Sequence, residues 1–214
     1  MRIKEVKWEK LLVVFALLIG VLSINAALPA PADANDTSNV YRPFGCTDKC
    51  KRSGVSELDR ANDSVSVHIN TKHLDHNPNG TTYTVWWVIF NDPDNCVDGC
   101  DGADIDACAP ECDDEGISVL WATGSVIPAN GKGEFQADLA EGIPSGQVLF
   151  GQGLTDAEGA EIHMVIRTHG PPIPGLVDEQ ITLFGGGCDV EHEGDLPVGV
   201  GYPCEDQQFA IHQP

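Results

Sequence analysis

Residues 82–90 constrain the fold more than any other stretch, because they read TYTVWWVIF and are apolar on both faces of an extended chain. β-branched and aromatic side chains dominate this run, and such side chains favour strands. Residues 64–70, SVSVHIN, instead alternate Val65, Val67 and Ile69 with polar residues, which is typical of a half-buried strand. The two patterns predict a sheet in which residues 82–90 form a central strand.

Several more short β-patterns follow, separated by turns rich in Gly, Pro and Asn, and no long helical periodicity is present. They are ISVLWATGSVI (117–127), GEFQADL (133–139), GQVLFG (146–151), AEIHMVIRTHG (160–170) and QQFAIH (207–212). This spacing predicts an all-β domain over residues 61–214, an antiparallel β-sandwich of about six to eight strands. The predicted core consists of Val67, Val85, Trp87, Ile89, Leu120, Phe135, Leu149, Ile162, Met164 and Ile166.

The N-terminus has the three parts of a secretory signal peptide: a basic start, the apolar run LLVVFALLIGVLSI (11–24) and then small residues. The apolar run is shorter than the about 20 residues that a transmembrane helix needs. We predict a signal peptide over residues 1–26, with cleavage after Ala26; cleavage after Ala34 and an uncleaved anchor are the alternatives. This prediction makes the chain secreted, periplasmic or attached to the cell surface, with no membrane span after cleavage.

Residues 27–60 contain few apolar positions and many Pro, Ala, Asn and Ser residues, and Cys46 and Cys50 lie within them. This composition predicts an N-terminal linker that ends in a small disulfide clasp. The linker would join the signal peptide to the β-domain.

The chain is strongly acidic, with 12 Lys and Arg residues against 33 Asp and Glu residues and a net charge of −21. Such a surface repels nucleic acid and anionic lipid, so neither is a predicted partner. It favours a cation or a basic protein as the partner.

All eight cysteines follow the predicted signal peptide, and an even number of cysteines in an exported chain indicates four disulfides. Three pairs of cysteines share the spacing C-x3-C, although spacing alone does not determine connectivity. Our predicted pairs are Cys46–Cys50, Cys188–Cys204 and a nested set of Cys96–Cys112 around Cys100–Cys108.

Residues 91–116 form an insertion between two strands, with four cysteines, ten acidic residues and no basic residue. The EF-hand pattern fails here, because a loop beginning at Asp94 has Ile105 where a bidentate Glu is needed. A solvated loop held by disulfides is the first interpretation; zinc bound by the cysteines is the least favoured. Calcium is the predicted cofactor if one is bound, in a non-standard site formed by Asp98, Asp101, Asp104 and Asp106.

The second candidate metal site lies in EIHMVIRTHGPP (161–172), where His163 and His169 share the face opposite Ile162 and Ile166. Six residues of straight strand separate the two histidines by about 20 Å, so they cannot share one ion. Each would need a ligand from a neighbouring strand, and the candidates are His68, His73 and His76. Copper or zinc held in this way predicts a metal-dependent oxidoreductase.

Four strings, YTVWWVIFNDPDNC, LWATG, GAEIHMVIRTHGPP and a late GGC, resemble a group of exported bacterial proteins over roughly residues 64–212. The resemblance implies export and a compact domain, and it carries over no catalytic residue. We therefore interpret the chain as an exported, disulfide-stabilised binding or structural domain rather than an enzyme. The Cu/Zn oxidoreductase is the alternative.

Overall fold

The computed structural model describes residues 34–46, 49–96, 100, 116–142, 146–188 and 201–214. These residues contain nine strands, one 3-10 turn over Pro93–Asn95 and one short helix. The strands are β1 (Ala34–Arg42), β2 (Lys51–Ala61), β3 (Ser64–Thr71), β4 (Thr81–Phe90), β5 (Ile117–Ile127), β6 (Gly133–Ala140), β7 (Val148–Phe150), β8 (Glu161–Thr168) and β9 (Glu205–His212); the helix is α1 (Val177–Gln180).

All nine strands belong to one antiparallel sheet in the order β6-β3-β2-β1-β9-β8-β4-β5-β7. The prediction of an all-β antiparallel fold is confirmed, since strands make up 53% of the described residues and helices 5%. The predicted two-sheet sandwich is not confirmed. β5 and β6 are consecutive in the chain and pack together although they lie near opposite ends of the strand order, so the single sheet must curl. The core then lies on the inner face of the curled sheet.

The inner face of the sheet carries the main core. Val85, Trp87 and Ile89 of β4 pack there with side chains from most of the other strands. Nine of the ten predicted core residues lie in this cluster, and Leu149 does not. Leu149 is 36% exposed because β7 has only three residues and lies at the edge of the sheet.

The outer face of β4 is also buried, which explains why residues 82–90 are apolar throughout. Trp86, Val88 and Phe90 form a second apolar cluster, against which Phe184 packs. Phe184 belongs to residues 170–188, which we name the outer segment. Its ring meets the ring of Trp86 edge-on at 5.3 Å between centroids. The predicted central strand is therefore confirmed, and its outward side chains are covered by loop.

The predicted linker over residues 27–60 requires correction, because β1 and β2 lie within it and pair with each other along their length. β1 also pairs with β9, in the middle of the strand order. The sequence shows no clear apolar alternation in these strands, because Val40 and Leu58 supply most of their buried apolar surface. Backbone hydrogen bonds to neighbouring strands stabilise them instead. Residues 1–33, including the predicted cleavage site at Ala26, lie outside the described residues.

Three disulfides lie within the described residues. Cys46–Cys50 and Cys188–Cys204 confirm two predicted pairs. The nested prediction for the acidic insertion is wrong, because Cys96 bonds to Cys100. Cys96 is the C-cap of the 3-10 turn, and its Cα atom lies 5.0 Å from that of Cys100. Cys108 and Cys112 lie outside the described residues.

Within the described ranges, no helix is long and apolar enough to cross a membrane.

Candidate functional site

His169 lies directly after β8, beneath the outer segment, and is fully buried. Its Nδ1 atom is 3.7 Å from the Sγ of Cys188 and 3.6 Å from the Sγ of Cys204. The two cysteines are bonded to each other. Across the described part of the chain, these three residues are the one group whose ligand atoms lie close enough together to hold a metal ion.

Hydrogen bonds fix the tautomer of His169. Nδ1 is 2.8 Å from the carbonyl oxygen of Gly186, which can only accept, so Nδ1 carries the proton. Nε2 therefore accepts from the hydroxyl of Thr84 at 2.8 Å, and the indole N–H of Trp86 donates to that hydroxyl oxygen at 2.7 Å. Burial lowers the pKa of His169 to about 4, so the ring is neutral at physiological pH.

The outer segment is held in place around His169 by its own polar contacts. The buried side chain of Gln180 donates to the carbonyls of His169 and Pro171 and accepts from the amide of Ile173. A Cβ atom at Gly186 would overlap the backbone of α1, so glycine is needed for this close approach. The GGGC string at residues 185–188 thus places the disulfide against the histidine.

A groove crosses the end of the sheet where β2 begins, β3 ends and β6 begins, and we name it the basic groove. Its volume is about 730 Å³, and its lining includes Arg52, Lys72 and Lys132. Strand register brings these cations together, because Gly54 pairs with Thr71 and Thr71 pairs with Gly133.

Three of the six basic residues at this end of the sheet line the basic groove. Residues 1–10 contain four of the 12 basic residues, which leaves eight. Arg60 and Arg167 are buried elsewhere. The other six all lie at or beside the starts of β2 and β6 and the ends of β1 and β3: Arg42, Lys49, Lys51, Arg52, Lys72 and Lys132.

Two buried polar atoms at this end have no hydrogen-bond partner among the described residues. They are the Oγ of Ser53, which lies in the groove wall, and the Nε of Arg42. Glu134 also lines the groove, and its carboxylate contacts His68 at 3.0 Å. Among described residues, Arg52, Lys72 and Lys132 form no ion pair.

A third set of polar residues lies on the inner face of the sheet, and its hydrogen bonds resemble those of a serine-hydrolase triad. The Nε2 of His212 is 2.8 Å from the Oγ of Ser56, and its Nδ1 is 2.7 Å from a carboxylate oxygen of Asp36. Ser56 and His212 are both fully buried, so no substrate reaches the hydroxyl. The buried Arg60 donates to the carbonyl of Ala157 nearby. This group connects β1, β2 and β9 and is structural.

The predicted histidines do not converge in the described structure. His163 contacts Glu161 at 2.6 Å and lies against the ring of Phe90, whereas His169 contacts the disulfide. His68 contacts β6, and the Nδ1 of His76 is 3.3 Å from the carbonyl of Leu74. His73 is exposed. Asp98, Asp101, Asp104 and Asp106 lie outside the described residues, so the calcium site stays a prediction.

Sequence reasoning missed the partners of His169 and the basic groove. The late GGC string was the available signal for the first, because glycines beside a cysteine permit close backbone approach. The groove has no local signal, since its cations come from residues 52, 72 and 132 and meet only through strand register.

Compared with protein-family models, curated proteins and solved structures, the chain matches none of them. The resemblance to exported bacterial proteins therefore stays a prediction.

Proposed function

We propose that this protein is an exported, disulfide-stabilised domain that binds a small organic anion in the basic groove. The observation that carries the proposal is the set of three cations, Arg52, Lys72 and Lys132, that line one concave surface without an ion-pair partner among the described residues. Acidic residues outnumber basic residues 33 to 12, so the lack of ion pairs in the groove does not result from a shortage of carboxylates. Like charges left together repel one another, and a bound anion would relieve that repulsion.

The size of the groove suits a small ligand. A volume of about 730 Å³ falls within the range of small-molecule sites. Three cations and one carboxylate favour a ligand with two or more negative charges.

The charge of the rest of the molecule limits the ligand's length. A net charge of −21 repels any polyanion that extends beyond the groove. A nucleic acid or an anionic membrane is therefore disfavoured, and a compact di- or tricarboxylate, phosphate ester or acidic sugar is favoured. Export rests on the signal-peptide pattern and agrees with the three disulfides of the described residues.

Two earlier predictions stand beside this proposal. Calcium binding by the acidic insertion is compatible with it, since that insertion contains no basic residue. The Cu/Zn oxidoreductase has weaker support, because the histidines of residues 68–76 and 163–169 contact different partners.

Isothermal titration calorimetry tests the proposal, with citrate, inorganic phosphate and glucuronate as probes at constant ionic strength. We expect saturable binding of one molecule per chain by at least one probe. Replacing Arg52, Lys72 and Lys132 together by Gln should lower its affinity more than tenfold, because three charge-assisted contacts contribute about 1 kcal/mol each.

The matched control replaces Arg42, Lys49 and Lys51 together by Gln. It removes the same charge from the same end of the sheet but spares every residue that lines the groove. We expect less than about a threefold loss of affinity from this change. Equal losses in the two triple variants would reduce the effect to general electrostatic attraction, and the absence of saturable binding by all three probes would refute the proposal.

A further inference from the structure

We propose that His169, Cys188 and Cys204 form a zinc-type metal site that the Cys188–Cys204 disulfide closes and that reduction opens. The site is independent of the basic groove, because none of its residues lines that groove. All three ligand types are those that zinc takes in proteins. The three ligand atoms already lie within 4.8 Å of one another.

The distances from the histidine to the two sulfur atoms in the closed state already fit the open site. A tetrahedral zinc ion with ordinary bonds to sulfur and nitrogen separates these ligands by about 3.6 Å. The Nδ1 of His169 is already 3.7 Å and 3.6 Å from the two sulfur atoms. The two sulfur atoms must move apart, and the Nδ1 of His169 must exchange its hydrogen bond to the carbonyl of Gly186 for the metal. Two thiolates and one imidazole leave the fourth position for water, as in open zinc sites.

The histidine is prepared for a metal by its surroundings. When Nδ1 binds the metal, the ring proton moves to Nε2, which then donates to the Oγ1 of Thr84. Histidines that bind metals commonly donate their second N–H in this way, which fixes the ring. Thr84 is itself held by Trp86 and buried, so its oxygen is in position.

Opening the site requires two electrons and two protons. A thiol reductant supplies them and is oxidised to its own disulfide, and the Cys188–Cys204 bond becomes two thiols. Binding of Zn²⁺ then releases the two thiol protons to solvent, so the bound group is electrically neutral. Cys204 is the more exposed sulfur, since Cys188 is only 2% exposed, and the reductant would therefore attack at Cys204.

The experiment uses the full chain, oxidised or reduced with a phosphine, which consumes one water per disulfide and becomes the phosphine oxide. Each form receives Zn²⁺, is desalted, and is measured for bound zinc and for far-ultraviolet circular dichroism. The reduced protein should retain one more zinc per chain than the oxidised protein. Co²⁺ as a substitute probe should give thiolate-to-cobalt charge-transfer absorption and tetrahedral ligand-field bands.

Three variants separate this site from the other cysteines. His169→Gln and the double change Cys188→Ser with Cys204→Ser should each lose the additional zinc. The double change Cys46→Ser with Cys50→Ser is the matched control and should keep it. Thr84→Val should lower the zinc affinity about 10–100-fold, as loss of a histidine's hydrogen-bond partner does, and Thr84→Ser should restore it.

Equal zinc in the oxidised and reduced proteins would overturn the proposal. So would unchanged zinc in His169→Gln, or a reduced chain that unfolds and binds none. In each of these cases the disulfide beside His169 is a structural cross-link alone.

Discussion

The two halves of the sheet bury different amounts of their outer face. On β3, in the half that also contains β2 and β6, buried residues alternate with residues that are exposed or half-buried. On β4, in the other half, every residue is buried. The difference comes from the outer segment, whose Phe184 covers Trp86, and from the disulfide-bonded Cys96 and Cys100, which pack in the same cluster. Among the described residues, no such cover lies over the outer face of β3.

The solvent exposure of each half determines which polar side chains it can carry. The open half carries long cationic side chains around an open groove. A charged group there pays little desolvation free energy and stays accessible to a ligand. The covered half holds a neutral histidine against a disulfide, where charge is disfavoured and ligands are fixed by packing. One sheet thus carries an open groove lined by cations and a buried cluster of His and Cys residues.

The largest expected effect comes from removing an outward side chain in the covered half. Trp86→Ala should lower the free energy of unfolding by about 3–5 kcal/mol, because it leaves a cavity beneath Phe184 and removes the hydrogen bond to Thr84. Gln136→Ala, at an exposed position of β6 in the open half, should change it by less than about 0.5 kcal/mol.

Urea denaturation of both variants measures this contrast. A loss below about 1 kcal/mol for Trp86→Ala would show that the outer segment does not form a packed layer. The comparison between the two halves would then fail.

A second effect, of about 3 kcal/mol, concerns pH and the titration of His169 in the covered half. The pKa of His169 is about 4 in the folded protein and 6.5 in the unfolded chain, because burial disfavours the charged ring. The unfolded chain therefore takes up this proton first as the pH falls. Stability should decrease from about pH 6.5 to about pH 4, by about 3 kcal/mol in total.

Urea denaturation across this pH range, with an NMR titration of the histidine rings, provides the measurement. His169→Gln should reduce the slope without abolishing it, because burial also lowers the pKa of His212. A His169 ring that titrates near its ordinary pKa would contradict the described burial.

The sequence predicted those strands whose position depends on the local pattern of apolar residues. Alternation in residues 64–70 and its absence in residues 82–90 gave a half-covered strand and a central strand, and both are confirmed. It did not predict β1, because small polar residues in that strand are held by backbone pairing. It did not predict the basic groove or the contacts of His169 either, since both join residues distant in the chain through strand register and loop packing.

Leu149 gives the smallest and most specific test, because the sequence and the structure disagree there. The apolar triplet VLF suggested a buried strand, yet β7 lies at the edge of the sheet and Leu149 is 36% exposed. On the neighbouring strand β5, Leu120 pairs with Val148 and is fully buried in the main core. Leu149→Ala should therefore cost less than about 1 kcal/mol, while Leu120→Ala should cost about 2–5 kcal/mol. Thermal unfolding of the two variants measures the difference directly. Equal losses would mean that another surface covers β7 in solution, and that the covered half of the sheet extends to its edge.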